Sequence, residues 1–587
     1  MCAVCKEHAM TTFASQSDSG TRLVAKRDLQ NRLFAALSAM FAKEVPLYDK
    51  ALLVNMACNK TVCALLSKLH LGFSLSDEDL ERTSGERHGA IRIGRPDEYR
   101  LIGRLFACFA MEPHNFYDMT CVGAKSQPII ATAFRSTLRP EHRVFSSVLM
   151  TDYFDPATRA RIEALLAKRT VFSDRAKQLI EKSERQGGLE ASDADDLIRE
   201  CTERIFKWTG SARDHALYKE LSAAGFKIAA DIACFQSHHL NHLTPNTFSI
   251  DLYTAAMKHC LGEVDAAWFR ARAETALGRL VTQADHDYMK LHFKHVPLEE
   301  IAAYKKGSVT PDEVAALAAE LTATFAGADY ALSQLKHAGF KDFTEGPSED
   351  TPVLLRQDAY KALTEPVGFT EDDGTVVDTT HTARFGEIEE RFYACTPAGR
   401  ALYDACLAEA DAAREKDPSL PKRDMASYEA LYAKPFAPFA KNLEGLIRQS
   451  YVYARYLPTE KGLTAAKSGA LASIDRQGCD LIELAKQGFV EYEGLRYEDF
   501  LPVSAAGIFA SNLQQYGTKS TAAVKPTYSQ SLLEEILGKR IIDATVVYAG
   551  VEAESKLDTY AKLGLLGKIP ASERTELESR LAAYRAI

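Results

Sequence analysis

Three short segments of the 587-residue chain concentrate side chains that bind metals and carboxylates. In QSHHLNHLTPNT, His238, His239 and His242 fall within five residues. The Asn, Thr and Pro around them imply a turn, from which imidazoles can be aimed at a site. In GERHGAIRIG, residues 88, 90 and 92 of an extended segment share one face. His88 and Arg92 therefore point the same way, about 13 Å apart on a regular strand. An imidazole there suits a metal, and a guanidinium grips a planar carboxylate with two parallel hydrogen bonds. In HTARFGEIEER, Glu387, Glu389 and Arg391 alternate onto one strand face, and Gly386 permits close approach of another group.

Two histidines and one carboxylate are the usual ligands of non-haem Fe(II) oxygenases, which keep positions open for substrate and dioxygen. Zinc accepts the same donors, so ligand type alone does not choose the metal. Arg92, Arg135, Arg143, Arg356 and Arg384 all lie in or beside strand-like segments and point to an acidic ligand. Each of these residues has an ordinary alternative: hydrogen-bonded core imidazoles, a polar strand face, and arginines paired with the chain's own carboxylates.

The elements that must position these groups are mixed. Residues 25–72 repeat apolar positions at three and four, as helices do. HGAIRIG alternates like a strand, DEYRLIGRLFACFAM reads as a helix, and FYDMT, PIIATAFRS and HRVFSSVLM read as short strands. Helical character covers about 157–231 and 252–340. Strand character returns at PVLLRQ (352–357) and RFGEIEERFYA (384–394), and once more at DATVVYAG (543–550). The expected fold class is α+β, a core of short strands decorated by long helical excursions. The expected organisation is a loose tail over 1–24, catalytic regions over 25–254 and 341–523, a helical insertion over 255–340 and a C-terminal helical extension over 524–587.

Composition narrows the function classes. Hydrophobic residues make up 46% and charged residues 26%, which excludes a wholly disordered chain. A net charge of −9 argues against a general nucleic-acid coat. No stretch is read as approaching the roughly 20 apolar residues of a membrane span, and the first twenty residues lack a signal-peptide core. Cys2 and Cys5 form the only CxxC among twelve cysteines, without a second pair at zinc-site spacing. Free thiols in a cytoplasmic setting are expected, with organellar targeting only weakly signalled. The expected partners are small molecules, neither nucleic acid nor membrane, with the oligomeric state left open.

The same segments carry a family resemblance. ERHGAIRIG, FYDMT, NHLTPNT, PVLLRQDAYKALTEPV, HTARFGEIEER, TPAGRALYD and YEDFLPVSAAGIFASNL resemble, in this order, the 2-oxoadipate dioxygenase/decarboxylase family, over about 28–513. The resemblance implies a vicinal-oxygen-chelate-like core of βαβββ modules around Fe(II). It implies conversion of 2-oxoadipate and O2 to (R)-2-hydroxyglutarate and CO2, in lysine-related catabolism. Carried onto this chain, it makes His88 and His242 metal ligands, with Glu389 favoured as the third and Glu387 as its alternative. Arg92 falls on the arginine that holds a substrate carboxylate. Val503 and Ser504 fall on a segment that contacts substrate through the backbone. His239, Glu387 and Arg384 are implied neighbours that support the ligands. The alternative reading is a metal-dependent lyase or isomerase that binds a 2-oxo acid without consuming O2.

Overall fold

The computed structural model describes residues 23–501 and 527–587, apart from 86, 122–125, 139–141, 342–343, 383, 385 and 476. Cys2, Cys5, Val503 and Ser504, and nearly all of the expected N-terminal tail, lie outside the described residues.

The chain opens with two helices, α1 (Lys26–Glu44) and α2 (Pro46–Leu69), then β1 (His70–Leu71) and α3 (Asp77–Ser84). A βαβββ module follows: β2 (Arg87–Ile93), α4 (Pro96–Cys108), β3 (Met111–Asp118), β4 (Ile129–Ser136) and β5 (Arg143–Leu149). Pro96 at the first helical position, followed by Asp97 and Glu98, starts α4 as helix termini prefer. After helices to about 205 come β6 (Ser211–Arg213), two helices, and β7 (His242–Pro245). The helical stretch from Ile250 to Phe325 is interrupted only by short connections and β8 (Lys305–Lys306), which pairs with β1. Four further strands are β9 (Leu355–Ala359), β10 (Thr364–Thr370), β11 (Val376–Thr382) and β12 (Glu387–Arg391).

The central sheet runs β3-β4-β5-β2-β7, with β2 and β5 parallel and the other neighbours antiparallel. The end of β7 passes to β12 through a parallel bridge between Asn246 and Glu389, and β12 pairs antiparallel with β9. β6, β10 and β11 form a separate three-stranded sheet.

Alternation sorts the two faces of the central sheet. Ile91, Ile93, Val144 and Val148 turn into the larger core, built with α1, α2 and the 250–325 helices. Ala90, Phe145 and Leu149 turn into a second core, beneath the helices Pro156–Ala167, His215–Ala223 and Lys227–Cys234. Each fully buried aliphatic side chain of this kind contributes roughly 1.5–3 kcal/mol.

Three sequence expectations need correction. NHLTP is a strand rather than a turn. A Cβ on Gly89 would lie 2.9 Å from the His242 carbonyl oxygen, so the glycine lets β7 close onto β2 and pair there. DATVVYAG opens the helix Ala544–Lys562: the Asp543 side chain caps it by accepting from the Thr545 amide, which overrides the β-propensity of the two valines. Finally, α2 is long and apolar enough to cross a membrane by length and composition. Here it lays Ala51, Val54, Cys58, Val62 and Leu65 into the larger core.

Candidate metal centre

Strand register builds the site. On one face of the sheet, Arg135, Arg143, His88 and Thr244 form a row across β4, β5, β2 and β7. The next row is Ala133, Phe145, Ala90 and His242. His88 and His242 are thus neighbours in adjacent rows, with ring centroids 5.7 Å apart. β12 then brings its carboxylate face against them. Glu387 Oε2 lies 3.1 Å from His242 Nε2 and 3.6 Å from His88 Nε2. One donor atom from each of His88, His242 and Glu387 falls within 4.8 Å of the others, and all three residues are buried.

Glu387, not Glu389, completes this cluster. Glu389, which the sequence favoured, accepts a 2.5 Å bond from Arg391 through Oε2, and that oxygen lies 3.5 Å from His88 Nδ1. It therefore stands behind His88. Gln357 on β9 reaches both carboxylates, donating to Glu387 Oε1 at 2.8 Å and Glu389 Oε1 at 2.7 Å. This leaves Glu387 Oε2 and His88 Nε2 as buried polar atoms with no hydrogen-bond partner among the described residues. Buried polar atoms in that state are costly unless something binds them.

The electrostatics fit a cation. Burial, then the Arg391 and Arg143 charges, holds the His88 imidazole well below its usual range. Burial, then His88, does the same to His242. Both rings are neutral at pH 7 and offer lone pairs. Burial and the neighbouring Glu389 charge push the Glu387 carboxyl well up, a cost that a cation between the three donors would relieve. The donor set of two imidazoles and one carboxylate thus fits a divalent transition metal.

The histidine trio separates onto three carboxylates. His238 Nε2 faces Glu98 at 3.7 Å, His239 Nε2 faces Asp231 at 3.4 Å, and His242 faces Glu387. Asp231, on the helix Lys227–Cys234, also accepts a 2.6 Å bond from Arg92 NH1 and lies 3.5 Å from His381 Nε2. Arg92 is close enough for its charge to act on His242. His239 is therefore tied to the partner of Arg92 rather than to a metal ligand.

The other arginines divide. Arg143 and Lys294 both pair with buried Glu498, and Arg496 lies 3.8 Å from it. Arg135 donates to Asp499 at 2.8 Å. Arg384 is bound by Glu365 and Glu44 and lies over the Trp208 ring. Arg356 is held by Asp251 and Glu390 on the far side of β9 and β12. Phe500 packs on the His88 ring at 5.6 Å and on Phe145 at 5.6 Å, walling the cluster.

Sequence reasoning missed Gln357, Asp231, Glu498, Lys294 and Phe500. Asp231 left a trace, as the one charged residue in the apolar run IAADIACF. Gln357 becomes visible only through the register that sets it opposite Glu389.

The comparisons with known proteins identify the family. The family model described as 2-oxoadipate dioxygenase/decarboxylase matches residues 33–266 and 285–512. A 2-oxoadipate dioxygenase/decarboxylase of Pseudomonas putida is 32% identical over 542 residues, covering 91% of this chain and 96% of its own. One of Escherichia coli is 30% identical, covering 90% and 97%. Among solved structures, the hydroxyglutarate synthase from Pseudomonas putida in complex with 2-oxoadipate superposes with a TM-score of 0.63 at 30% identity, covering 92% of this chain and 99% of that one. The chain belongs to the 2-oxoadipate dioxygenase/decarboxylase family. Between 33 and 512 the match leaves out only 267–284. That gap corresponds to the helix Ala266–Gln283 and not to the whole of 255–340.

Proposed function

We propose that the chain is an Fe(II)-dependent enzyme that converts 2-oxoadipate and O2 to (R)-2-hydroxyglutarate and CO2. The observation that carries this reading is the buried His88–His242–Glu387 cluster, in a chain that aligns almost end to end with relatives of that activity. His88, His242 and Glu387 hold the metal, and Glu389 with Arg391 orients the His88 ring from behind, as outer partners of ligating imidazoles do. Bound iron supplies a chelation point for the 2-oxo acid and the electrons for oxygen chemistry. The atoms balance without an external reductant: C1 leaves as carbon dioxide with its own two oxygens, one atom of O2 completes the new carboxylate on the former keto carbon, and the other becomes the hydroxyl on the neighbouring carbon.

The chain's own residues bind and orient. Arg92 grips a substrate carboxylate, and Asp231 fixes its guanidinium by a charged hydrogen bond. Arg143, Lys294 and Arg496 around Glu498 add positive potential on the side of His88 away from Arg92, which favours a dianionic substrate. Phe145 and Phe500 exclude water from the donors. Val503 and Ser504 contact the substrate through backbone groups, on the strength of the family resemblance. The expected setting is the cytoplasm.

Oxygen uptake with ferrous ion and 2-oxoadipate, together with chiral analysis of the hydroxy acid, tests the proposal. Stoichiometric O2 loss, CO2 and the (R) product are expected. Conversion of the acid without O2 loss would replace this reading with the lyase or isomerase.

A further inference from the structure

Behind the metal centre lies a small internal cavity of about 20 Å³. Its lining includes Phe41 and Ala51 from the N-terminal helices, Leu243 from β7, Tyr253, Tyr360 and Glu387. All six are at most 7% exposed. The two phenols are satisfied by each other, with their oxygens 2.7 Å apart, and the Tyr253 hydroxyl also reaches the Ala51 carbonyl. Tyr48 also lines the cavity, and its hydroxyl pairs with that of Ser38 at 3.0 Å; Glu387 spends Oε1 on Gln357 and turns Oε2 to the histidines.

A buried water needs two to four polar partners, whereas small apolar cavities stay dry and take apolar guests. A void of this kind also forfeits dispersion contacts that a polarizable guest restores. The cavity touches the metal cluster at two points. Glu387 closes one wall, and Leu243, the residue after His242, forms another. Leu243 Cδ1 comes within 3.4 Å of the Cβ position on Gly89, beside His88. One buried leucine side chain thus spans from the cavity to the strand that carries the first histidine.

We propose that this cavity is a dioxygen-binding site, a reservoir for a small apolar gas placed behind Glu387 and Leu243 to supply the metal centre. The assignment of oxygen as the guest rests on the dioxygenase reading above. The gas site itself rests only on the shape and chemistry of the cavity.

Xenon is the probe, because it fills dry apolar cavities and is seen directly. Crystals of the metal-free full chain under xenon pressure should show one xenon between Ala51, Leu243 and Tyr360. Ala51→Phe should fill the cavity and abolish that xenon. In the iron-loaded enzyme it should raise KM for O2 several-fold, with KM for 2-oxoadipate and iron content unchanged. Leu47→Ala, at the same cavity, should enlarge it and raise xenon occupancy; it serves if the phenylalanine variant fails to fold. No xenon at this position, or an ordered water there instead, overturns the site. Xenon present in the wild type, with an unaltered O2 dependence in a folded, filled variant, overturns its role in supply. A wild-type holoenzyme that binds xenon but consumes no O2 with 2-oxoadipate would refute the functional reading and, with it, oxygen as the guest.

Discussion

Among the described residues, His88, His242 and Glu387 are the three whose donor atoms converge closely enough to hold a metal. Glu389, Asp231 and Glu498 are each held by a cation, while the three clustered donors face one another. His88→Ala, His242→Ala and Glu387→Gln should therefore each abolish turnover and lower bound iron while the chain stays folded. Glu389→Gln should retain iron and lose part of the rate. Metal analysis of the purified variants checks both, and a Glu387→Gln protein with full iron would return the ligand role to Glu389. For Arg92, a charged hydrogen bond is worth roughly 1.5–3 kcal/mol, so Arg92→Ala should lose about 10- to 150-fold in kcat/KM. Arg92→Lys should recover only part, because it keeps the charge and loses the fork. Asp231→Asn should raise KM for 2-oxoadipate and leave iron content unchanged, since Asp231 touches Arg92 and none of the donors. Steady-state kinetics on 2-oxoadipate and 2-oxohexanoate would show whether Arg92 holds the distal carboxylate or the one beside the keto group.

The paired strands β9 and β12 are the element on which the site depends. Their front carries Gln357, Glu387 and Glu389, and behind them lie Arg356, Glu390 and Asp358. Burial raises the Asp358 carboxyl to about 7, with Lys341 and Lys258 opposing. A folded-state value above the unfolded one means that Asp358 favours the fold below about pH 4. That contribution is lost as pH rises towards 7. Asp358→Asn should remove this dependence, so its stability advantage over the wild type should grow from pH 4 to pH 7, by a few kcal/mol at most. Urea unfolding across that range measures it, and a pH-independent difference would show that Asp358 titrates normally. A second element, the helix Ala266–Gln283, lies where the family match is interrupted. It packs Phe269, Leu277 and Leu280 into the larger core, so replacing 267–284 with a short linker should lower Tm yet leave 2-oxoadipate-dependent O2 uptake. Replacing 265–330 also removes Lys294 from Glu498 and should cost substrate affinity.

Across the whole molecule, distant segments converge on the stretch 496–501. The helix Ala544–Lys562, the last but one of the chain, supplies Tyr548, whose hydroxyl donates to Asp499 Oδ2 at 2.8 Å and accepts from the Glu498 amide at 2.8 Å. Arg391 donates to the carbonyls of Tyr497 and Asp499, which links this stretch to Glu389 and so to His88. The helix Ala544–Lys562 is thus part of the site's support. Tyr548→Phe strands a buried amide, at a cost of roughly 1–3 kcal/mol. It should lower Tm and raise KM for 2-oxoadipate with iron content unchanged. Wild-type KM in that variant would detach the extension from the site.

The α+β class, the βαβββ order of the first module, His88, the histidine trio and the carboxylate strand were legible in the sequence, because each rests on alternation or on a short local pattern. Period-two alternation places residues 88, 90 and 92 on one face whatever the rest of the chain does. The choice between Glu387 and Glu389 was not legible. Both lie on the same face of β12; Arg391, two residues on along the same strand, takes Glu389, and only the approach of β7, permitted by Gly89, sets His242 against Glu387. Local pattern could not divide the trio at 238–242, where the family resemblance alone named His242: its three carboxylate partners come from α4, the helix Lys227–Cys234 and β12. Local chemistry names which residues can bind. Which of them do is decided by contacts between segments far apart in the chain, whose free energy depends on distances that no local pattern encodes.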